Sequence, residues 1–295
     1  MKIYAICLVK NEDDVIGQSL TFAAQYCDKV IVIDNGSTDR TWEVVKDIAA
    51  AHPRVVPFLQ TWERFHDGLR WLAYDAFRGE LADDDWWLVL GADEFLAEDP
   101  RPIVRAALAE PADIVMAWQI QFYFTERDYD DWSAGRDDRE QPIFSRRRHY
   151  RIDWQEPRLF RHRVGDAPNT AAIGRNLGLP RSWGGSGTPI RVGKMSRRRI
   201  FNRHYQYRDP PQIQKRLETR YGHPAFASQV DSPDWRSKLR GSKQLHRYRE
   251  GEPWRFSFFG LAQCYTGRLH GAVRGRLMRA RDRLVGGKWK RREAS

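Results

Sequence analysis

The sequence has few cysteines, and they form neither a ligand set nor a disulfide framework. Only Cys7, Cys27 and Cys264 occur among 295 residues. They include no CxxC pair and have no histidine at the spacing of a zinc site. An odd number of widely separated thiols argues against a disulfide-bonded secreted domain. We therefore expect a chain of this length to be held by its apolar core in a reducing compartment.

Long apolar runs are also missing. No stretch approaches the roughly 18 to 20 uninterrupted apolar residues that cross a bilayer. The N-terminal segment MKIYAICLVKNEDD becomes acidic without the small-residue cleavage site of a signal peptide. These features predict a cytoplasmic protein, and they leave open a peripheral contact with the inner face of a membrane.

The common glycine-rich phosphate-binding loops are absent. GxxxxGK[ST] occurs nowhere, and the first apolar segment is followed by KNEDD rather than by glycines. Three carboxylates in such a turn would repel a pyrophosphate. A nucleotide bound there must therefore have its phosphates held by another group, such as a divalent cation bound by carboxylates.

Charge is distributed unevenly along the chain. Residues 1–125 carry 11 Lys/Arg and 21 Asp/Glu, whereas residues 126–295 carry 39 and 18. The acidic part could hold a cation, and the basic part could hold anions. Nucleic acid is one partner of that kind, and a diphosphate or a phosphorylated lipid is another, so composition leaves both open.

Short apolar segments alternate with amphipathic ones in the first 125 residues. We predict strands at 2–9, 29–34, 54–60, 85–90 and 114–124, and helices at 13–26, 39–51, 67–81 and 101–109. The first two strands are apolar at nearly every position, which is typical of strands buried on both faces of a parallel sheet. Strands and helices in this order predict an α/β fold with a doubly wound, mostly parallel sheet.

Beyond residue 125 the pattern becomes irregular. Segments 126–142 and 163–199 are rich in Gly, Pro, Asp and Arg, as loops are, and helical periodicity returns after Pro211. We therefore expect a core domain at 1–125, an irregular lobe at 126–210 and a basic helical region at 211–295.

Acidic side chains follow three of the predicted strands. They are Glu12 after the first strand, Asp34 after the second, and the adjacent pair Asp93 and Glu94 after the fourth. Ligands of open parallel sheets bind at these carboxyl ends, and buried carboxylates are costly unless they are paired or bind metal. Each segment alone is explained equally well by a capped strand-to-helix turn. The three together predict a cation site.

Three motifs resemble glycosyltransferase family 2, an inverting group with the A-type nucleotide-sugar fold. They are VKNEDDVIGQSL at 9–20, VIVIDNGSTDRT at 30–41 and LVLGADEFL at 88–96. The resemblance implies a hexosyltransferase-type enzyme of polysaccharide biosynthesis that uses a nucleotide-diphosphate sugar, with a UDP-sugar as the default donor. A glycan or lipid-linked acceptor would bind the lobe at 126–210.

The resemblance also implies roles for individual residues. Val9, Lys10, Asn11 and Glu12 would border the base and ribose, Asp34 would contact the nucleoside, and Arg70 would help to hold the nucleotide. Asp93 would bind the Mg²⁺ or Mn²⁺ that bridges the diphosphate, with Glu94 beside it. The family usually has an acid where this chain has Gly91, so metal binding could be weaker, or Glu94 could compensate.

Two further groups are expected in the second half of the chain. The segment Asn202–Arg208 resembles the late HxxxR region of related transferases, which makes His204 the histidine expected to complete the metal shell. Inverting transfer needs a base for the acceptor hydroxyl. Asp153 and Glu156, in the segment DWQEPRLFR, are the candidates, and either could instead be a loop acid paired with an arginine.

The tail 254–295 carries 11 Lys/Arg and two acidic residues. Its periodicity fits a basic amphipathic helix that lies on an anionic inner leaflet, or one that packs on the core with its arginines in water. A nucleic-acid-binding protein and a nucleotide-sugar-binding relative without catalysis are the alternative interpretations. The first leaves the carboxylates at the strand ends unexplained, so we expect no nucleic-acid partner.

Overall fold

The structure, a computed structural model, describes residues 1–168, 180, 183, 193–222, 230 and 232–257. In these residues the strands are Ile3–Val9 (β1), Lys29–Asp34 (β2), Val55–Gln60 (β3), Trp86–Leu90 (β4), Glu94–Leu96 (β5), Ile114–Phe122 (β6), His149–Arg161 (β7), Met195–His204 (β8) and His246–Arg247 (β9). The helices are Ile16–Ala23 (α1), Thr41–Ala51 (α2), Arg70–Phe77 (α3), Arg101–Ala109 (α4), Glu126–Ser133 (α5), Ile143–Arg146 (α6) and Pro210–Arg220 (α7).

All of these strands belong to one sheet. Their order is β3-β2-β1-β4-β7-β6-β8-β5, with β9 paired to β7. The first four strands along the chain are parallel to one another, so their carboxyl ends meet at one edge. β7 runs antiparallel to β4 and β6, and β8 runs parallel to β6. The predicted α/β fold with a mixed, mostly parallel sheet is confirmed.

Helices cover both faces of the sheet. Ile3, Ala5 and Cys7 of β1 pack in one cluster with residues of α1, α2 and α4. Tyr4 and Ile6 point to the other face and pack with residues of α3, because successive side chains of a strand alternate between its faces. β1 is therefore buried on both sides, as a doubly wound sheet requires.

The strands and helices predicted for the first 125 residues are confirmed. Their ends are shorter than predicted by up to four residues, and single 3₁₀ turns at 67–69 and 78–80 flank α3. The short strand β5 is not predicted, because its three residues are too few to produce a detectable alternation. β5 follows Asp93 directly and therefore fixes the direction in which the chain leaves the end of β4.

The irregular structure predicted for 126–142 is wrong at α5. The Thr125 hydroxyl accepts a hydrogen bond from the N–H of Asp128, and the Asp128 carboxylate accepts one from the N–H of Thr125 at 2.7 Å. This capping box satisfies two N–H groups that a helix start leaves without partners. It starts a helix in a segment whose many acidic residues are otherwise typical of loops.

The irregular structure predicted for 163–199 is wrong at its C-terminal end, where β8 begins. Three consecutive arginines, Arg197, Arg198 and Arg199, give this strand too few apolar residues to be recognised. Ile200 is its buried apolar residue. Residues 169–179, 181–182 and 184–192 of that segment lie outside the described residues.

Met1–Arg255 form one compact unit, and strands from the expected lobe at 126–210 extend the sheet of the expected core domain. The division into three regions stays a prediction. The basic helix predicted for the tail 254–295 lies, from residue 258 onward, outside the described residues. Within the described ranges, no helix has the length and apolar character needed to cross a membrane.

Candidate functional site

The turns after β1 and β2 are hydrogen-bonded to each other. Asn11 has a positive φ of 55°, a conformation that asparagine adopts more readily than most residues. Its N–H donates to Ser37 Oγ at 2.9 Å, and its side-chain oxygen accepts from the N–H of Thr38 at 2.8 Å. The N–H of Glu12 donates to Thr41 Oγ1 at 2.8 Å. These bonds hold the two strand-end motifs together.

Asp34 ends β2 and has no exposed surface. Its carboxylate accepts hydrogen bonds from Gln60 Nε2 at 2.8 Å, from the N–H of Ser37 at 3.2 Å and from the Ser37 hydroxyl. Gly36 turns the chain with a φ of 69°, and a Cβ added there would meet the indole of Trp62 at 2.9 Å. Asp34 therefore holds the shape of its turn, and a ribose hydroxyl would have to join or displace these donors.

A cluster of charged side chains connects the ends of β1 and β4 with α7. Arg208 is fully buried, contacts Glu12, and donates from Nε to Asp14 at 2.7 Å. Arg216 Nη1 lies 2.7 Å from Glu12 Oε1 and 3.1 Å from Asp93 Oδ2. The structure thus brings Glu12 and Asp93 to the same pair of guanidinium groups, as expected for residues at neighbouring strand ends.

Asp93 and His204 face each other beside this cluster. His204 is the β8 partner of Glu94, and its Nε2 lies 3.4 Å from Asp93 Oδ1. His204 Nδ1 is buried and has no hydrogen-bond partner in the part of the chain that the structure describes, and Asp93 Oδ2 is held there only by its ion pairs with Arg216 and Arg208. Two atoms that bind one cation at about 2.1 Å each are roughly 3.0–3.5 Å apart. The pair therefore fits two ligands of a divalent cation.

The charge of Asp93 suits that role. Burial by itself would raise the pKa of Asp93, but a protonated His204, Arg216 and Arg208 outweigh it and hold this pKa well below its usual value; as a metal ligand His204 would instead be neutral. The carboxylate is thus ionised at neutral pH. Among the described residues no three His, Cys, Asp or Glu side chains converge on one point. A cation at Asp93 and His204 would take further ligands from a phosphate or water.

Glu94 turns back over Gly91. Its Oε2 accepts from the N–H of Gly91 at 2.9 Å, and Arg158 contacts its other oxygen. A Cβ added to Gly91 would meet the carboxyl carbon of Glu94 at 2.8 Å. The Glu94 carboxylate thus occupies the space that a side chain at position 91 would fill. Its role as a metal neighbour stays a prediction.

The two candidate bases have different surroundings on β7. Glu156 Oε1 accepts from the indole N–H of Trp154 at 3.0 Å, and its Oε2 lies 2.8 Å from Arg158. Since Arg158 also contacts Glu94, Glu156 is one side chain away from the end of β4. Asp153 contacts Arg151 instead. Neither assignment is tested by these contacts, and both carboxylates stay predictions.

The other predicted nucleotide contacts lie in different environments. The Val9 side chain is buried in the core, and its carbonyl accepts from the N–H of Asn35 at 2.8 Å. Lys10 is exposed. Arg70 begins α3 and donates to Asp67 at 2.6 Å, while its Nε is buried without a hydrogen-bond partner in the described ranges. Whether these three residues contact a nucleotide stays a prediction.

Several polar residues of the site are missing from the sequence-based prediction. Gln60, Arg158 and Arg216 each contact a predicted carboxylate. Arg208 enters the prediction only as the last residue of the HxxxR segment. The sequence does indicate the helix that carries Arg216, because Asp209 followed by two prolines is typical of a helix start. On that helix Arg216 and Arg220 are four residues apart and share a face. The pattern does not reveal what that helix packs against.

Comparison with a family model gives a match over much of this region. The model of Glycosyl transferase family 2 matches residues 4–167. The matched segment is more than half of the 295-residue chain. It includes the turns after β1, β2 and β4, whereas His204, Arg208 and Arg216 lie beyond it.

Curated relatives match a shorter segment. Uncharacterized glycosyltransferases of Rickettsia typhi and Rickettsia conorii are each 28% identical over 127 residues. That segment is 43% of this chain and 40% and 41% of the two relatives. The chain thus spans about two fifths of the length of the curated relatives it matches.

Solved structures show weaker likeness. A mannosyltransferase from Pyrobaculum calidifontis, PcManGT in complex with GDP-Man and Mn²⁺, is 18% identical with a TM-score of 0.41, over 78% of this chain and 64% of that chain. A fragment of S. aureus TarS is 12% identical with a TM-score of 0.38, over 74% and 64% of the two chains.

Proposed function

Since this chain belongs to glycosyl transferase family 2, we propose that it transfers a sugar from a nucleotide-diphosphate sugar to an acceptor hydroxyl with inversion, and that it requires Mg²⁺ or Mn²⁺. The observation that carries the proposal is the pair Asp93 and His204, 3.4 Å apart at the end of β4. A cation held there would offset the negative charge that develops on the leaving diphosphate.

The nucleoside would bind at the turns after β1 and β2. Asn11, Ser37 and Asp34 form one hydrogen-bonded group there. A ribose hydroxyl would join or displace the donors that contact Asp34, and the neighbouring Glu12 connects this group to Arg208 and Arg216. Binding at this position would direct the diphosphate from the β1 and β2 turns toward Asp93.

Glu156 is the better supported of the two candidate bases. Its side chain is 41% exposed and forms an ion pair with Arg158, which also contacts Glu94 at the end of β4. β7 is antiparallel to β4, so the residues before Leu159 continue past the carboxyl end of β4. Asp153 lies where the register between β6 and β7 shifts, and its carboxylate contacts Arg151. We propose that Glu156 deprotonates the acceptor hydroxyl.

The donor and acceptor are proposed at the level of chemical class. A UDP-sugar is the default donor. A glycan or a lipid-linked saccharide is the proposed acceptor. Residues 126–295 carry 39 Lys/Arg against 18 Asp/Glu, and this excess of positive charge suits an acceptor that carries phosphate.

A thermal-shift measurement with UDP, GDP, ADP and CDP, each with and without Mn²⁺, tests the proposal. We expect one nucleotide at about 100 times its Kd to raise the Tm by roughly 4–8 °C only when the metal is present. The shift should disappear in Asp93→Ala.

The matched control is Asp47→Ala, which removes an exposed aspartate from α2 and should leave the shift unchanged. Equal shifts in the Asp93→Ala and wild-type proteins would exclude Asp93 from the site. Absence of a shift with all four nucleotides would contradict nucleotide-sugar binding.

A further inference from the structure

Three buried carboxamides form a row beside His204 on one face of the sheet. Gln119 and Gln121 of β6 have no exposed surface, and Asn202 of β8 is 1% exposed. In the parallel register of the two strands, Gln119 pairs with Asn202 and Gln121 pairs with His204. Since alternate residues of a strand point to the same side, all four side chains share one face.

The row begins where the apolar core of that face ends. The preceding pair of residues, Ala117 and Ile200, belongs to the apolar core. Apolar side chains could continue this core at the next two pairs, whereas a buried amide is unfavourable unless its donors and acceptors have partners. The change from apolar to amide side chains therefore indicates a polar role toward His204, where the row ends.

Arg158 holds the other end of the row. With its carboxamide oxygen toward Arg158, Gln119 accepts hydrogen bonds from Nε at 3.1 Å and from Nη2 at 3.2 Å. The amide nitrogen of Gln119 then lies 3.1 Å from the carboxamide of Asn202. These contacts involve two of the three carboxamides. Gln121, the strand partner of His204, is the third.

Gln121 presents an acceptor atom that is not used. Its Nε2 donates to the carbonyl oxygen of Phe122 at 3.2 Å and to that of His204 at 3.4 Å. Turning the amide around would place Oε1 against these two carbonyl oxygens, so the observed orientation is favoured. Oε1 itself is buried and has no hydrogen-bond partner among the residues described. Gln121 therefore offers an acceptor that lacks a donor.

The Nδ1 atom of His204 is the matching group, since it is also buried without a partner in the described part of the chain. Nδ1 carries a proton when Nε2 binds a cation, and also when a charged imidazole pairs with Asp93. In both states it is a donor that needs an acceptor. Neighbouring strands lie about 4.8 Å apart, so a change of side-chain torsion angle is enough to bring this donor to Gln121 Oε1.

We propose that Gln121 is a positioning residue for His204. Its Oε1 accepts the Nδ1 proton, and this bond keeps the ring turned with Nε2 toward Asp93 and available to a divalent cation. Histidines that bind metal generally donate their second ring N–H to such an acceptor. The inference rests on the proposed function for the cation, whereas the hydrogen bond itself can be measured without metal.

Mn²⁺ binding to the full chain tests this role. Electron paramagnetic resonance of free Mn²⁺ gives the Kd for the metal alone. Gln121→Met keeps the length of the side chain and removes its oxygen, and we expect it to raise the Kd roughly tenfold to a hundredfold. In a His204→Ala background the same substitution should change the Kd less than about twofold, because Gln121 acts through His204.

Two further variants and a control complete this test. Gln121→Asn withdraws the amide from His204 and should also weaken Mn²⁺ binding, which covers the case in which Gln121→Met does not fold. Gln121→Glu keeps an acceptor oxygen and should retain more affinity than Gln121→Met. The matched control is Gln18→Met on α1, where the carboxamide oxygen accepts from the N–H of Ile143 at 2.9 Å. Its Kd should equal that of the wild type.

An unchanged Kd in both Gln121→Met and Gln121→Asn would overturn the inference, and so would equal losses with and without His204. A wild-type protein that binds no Mn²⁺ contradicts the metal requirement of the proposed function instead.

In that case NMR of the metal-free protein with ¹⁵N-labelled histidine decides. We expect a ring Nδ1–H resonance that is absent in His204→Ala and shifted in Gln121→Met. A wild type without this resonance, or a resonance that Gln121→Met does not move, would overturn the assignment of Gln121.

Discussion

Arg208 lies without exposed surface between Glu12 and Asp14, two of the three carboxylates that follow β1. Burial alone would lower the pKa of Arg208, but Asp14 and Glu12 raise it well above its ordinary value. A buried ion pair gives little net stability, yet removal of one partner costs about 3–5 kcal/mol because a charge is left buried alone. Removal of the Arg208 side chain should therefore destabilise the fold around the site as well as change the charge of the site.

At the scale of the residue, Gly91 and Glu94 offer a direct test of the site geometry. A Cβ at position 91 would lie 2.8 Å from the carboxyl carbon of Glu94, so we expect Gly91→Ala to lower the free energy of unfolding by roughly 1–3 kcal/mol through overpacking. In a Glu94→Ala background the same substitution should cost less than about 0.5 kcal/mol. Urea unfolding of the four proteins gives both values.

The control for this cycle is Gly79→Ala. A Cβ added at Gly79 meets no atom within 4 Å, so its free energy of unfolding should stay close to that of the wild type. Equal costs of Gly91→Ala with and without the Glu94 side chain would show that the carboxylate does not occupy the space beside position 91.

Single residues also show how far the sequence predicts the site. Glu12, Asp34 and Asp93 are recognisable because each follows an apolar strand, and that information is local. Arg216 is not, because its contacts with Glu12 and Asp93 depend on how α7 packs. Ion pairs between residues far apart in the chain produce no periodic pattern in the sequence, so they cannot be predicted from it.

At the scale of the element, the start of α7 is fixed by its N-cap residue, Asp209. The Asp209 carboxylate accepts from the N–H of Gln212 at 3.0 Å as the N-cap, and it also pairs with Arg139 at 2.7 Å. Asparagine caps helices about as well as aspartate. We expect Asp209→Ala to lower the free energy of unfolding by about 1 kcal/mol more than Asp209→Asn, a difference that chemical denaturation can measure.

Two results would contradict this account of α7. If the two Asp209 variants are equally stable, the hydrogen bond to Gln212 does not stabilise the helix start. If Asp209→Asn leaves stability at the wild-type value, the ion pairs with Arg139 and Arg146 contribute no net stability.

Elements differ in how well the sequence predicts them, for a physical reason. β1 and β2 are buried on both faces, so nearly every residue is apolar and the strands are recognisable. β8 has arginines at most of its exposed positions, and few of its side chains are buried. Its place in the sheet is set by pairing with β6 and β5, which composition does not encode.

At the scale of the whole molecule, stability should depend on pH through buried histidines. The indole N–H of Trp87 donates to His162 Nδ1 at 3.1 Å, which requires that nitrogen to be unprotonated. Burial lowers the pKa of His162, although nearby Asp83 and Asp85 oppose the shift. The folded protein thus binds fewer protons than the unfolded chain below about pH 6.5.

Because the unfolded chain binds more protons, the protein should become less stable as pH falls. Stability contributed by neutral His162 is present above the unfolded pKa near 6.5 and is lost as pH falls from there. We expect the free energy of unfolding to fall between pH 7.5 and pH 5.0, and to fall less in His162→Asn, whose carboxamide oxygen can accept the same indole hydrogen bond. Parallel pH profiles for the two proteins would exclude His162 as a contributor.

The path of the chain through the acidic end of the sheet has a consequence for synthesis. Glu12, Asp14 and Asp93 are translated before Arg208 and Arg216, the guanidinium groups that neutralise them. A nascent chain that has reached only the end of β7 therefore carries these three anions without Arg208 and Arg216, with mobile counterions in place of those two arginines. The carboxylates at this edge should be neutralised by the protein's own arginines only after α7 has left the ribosome.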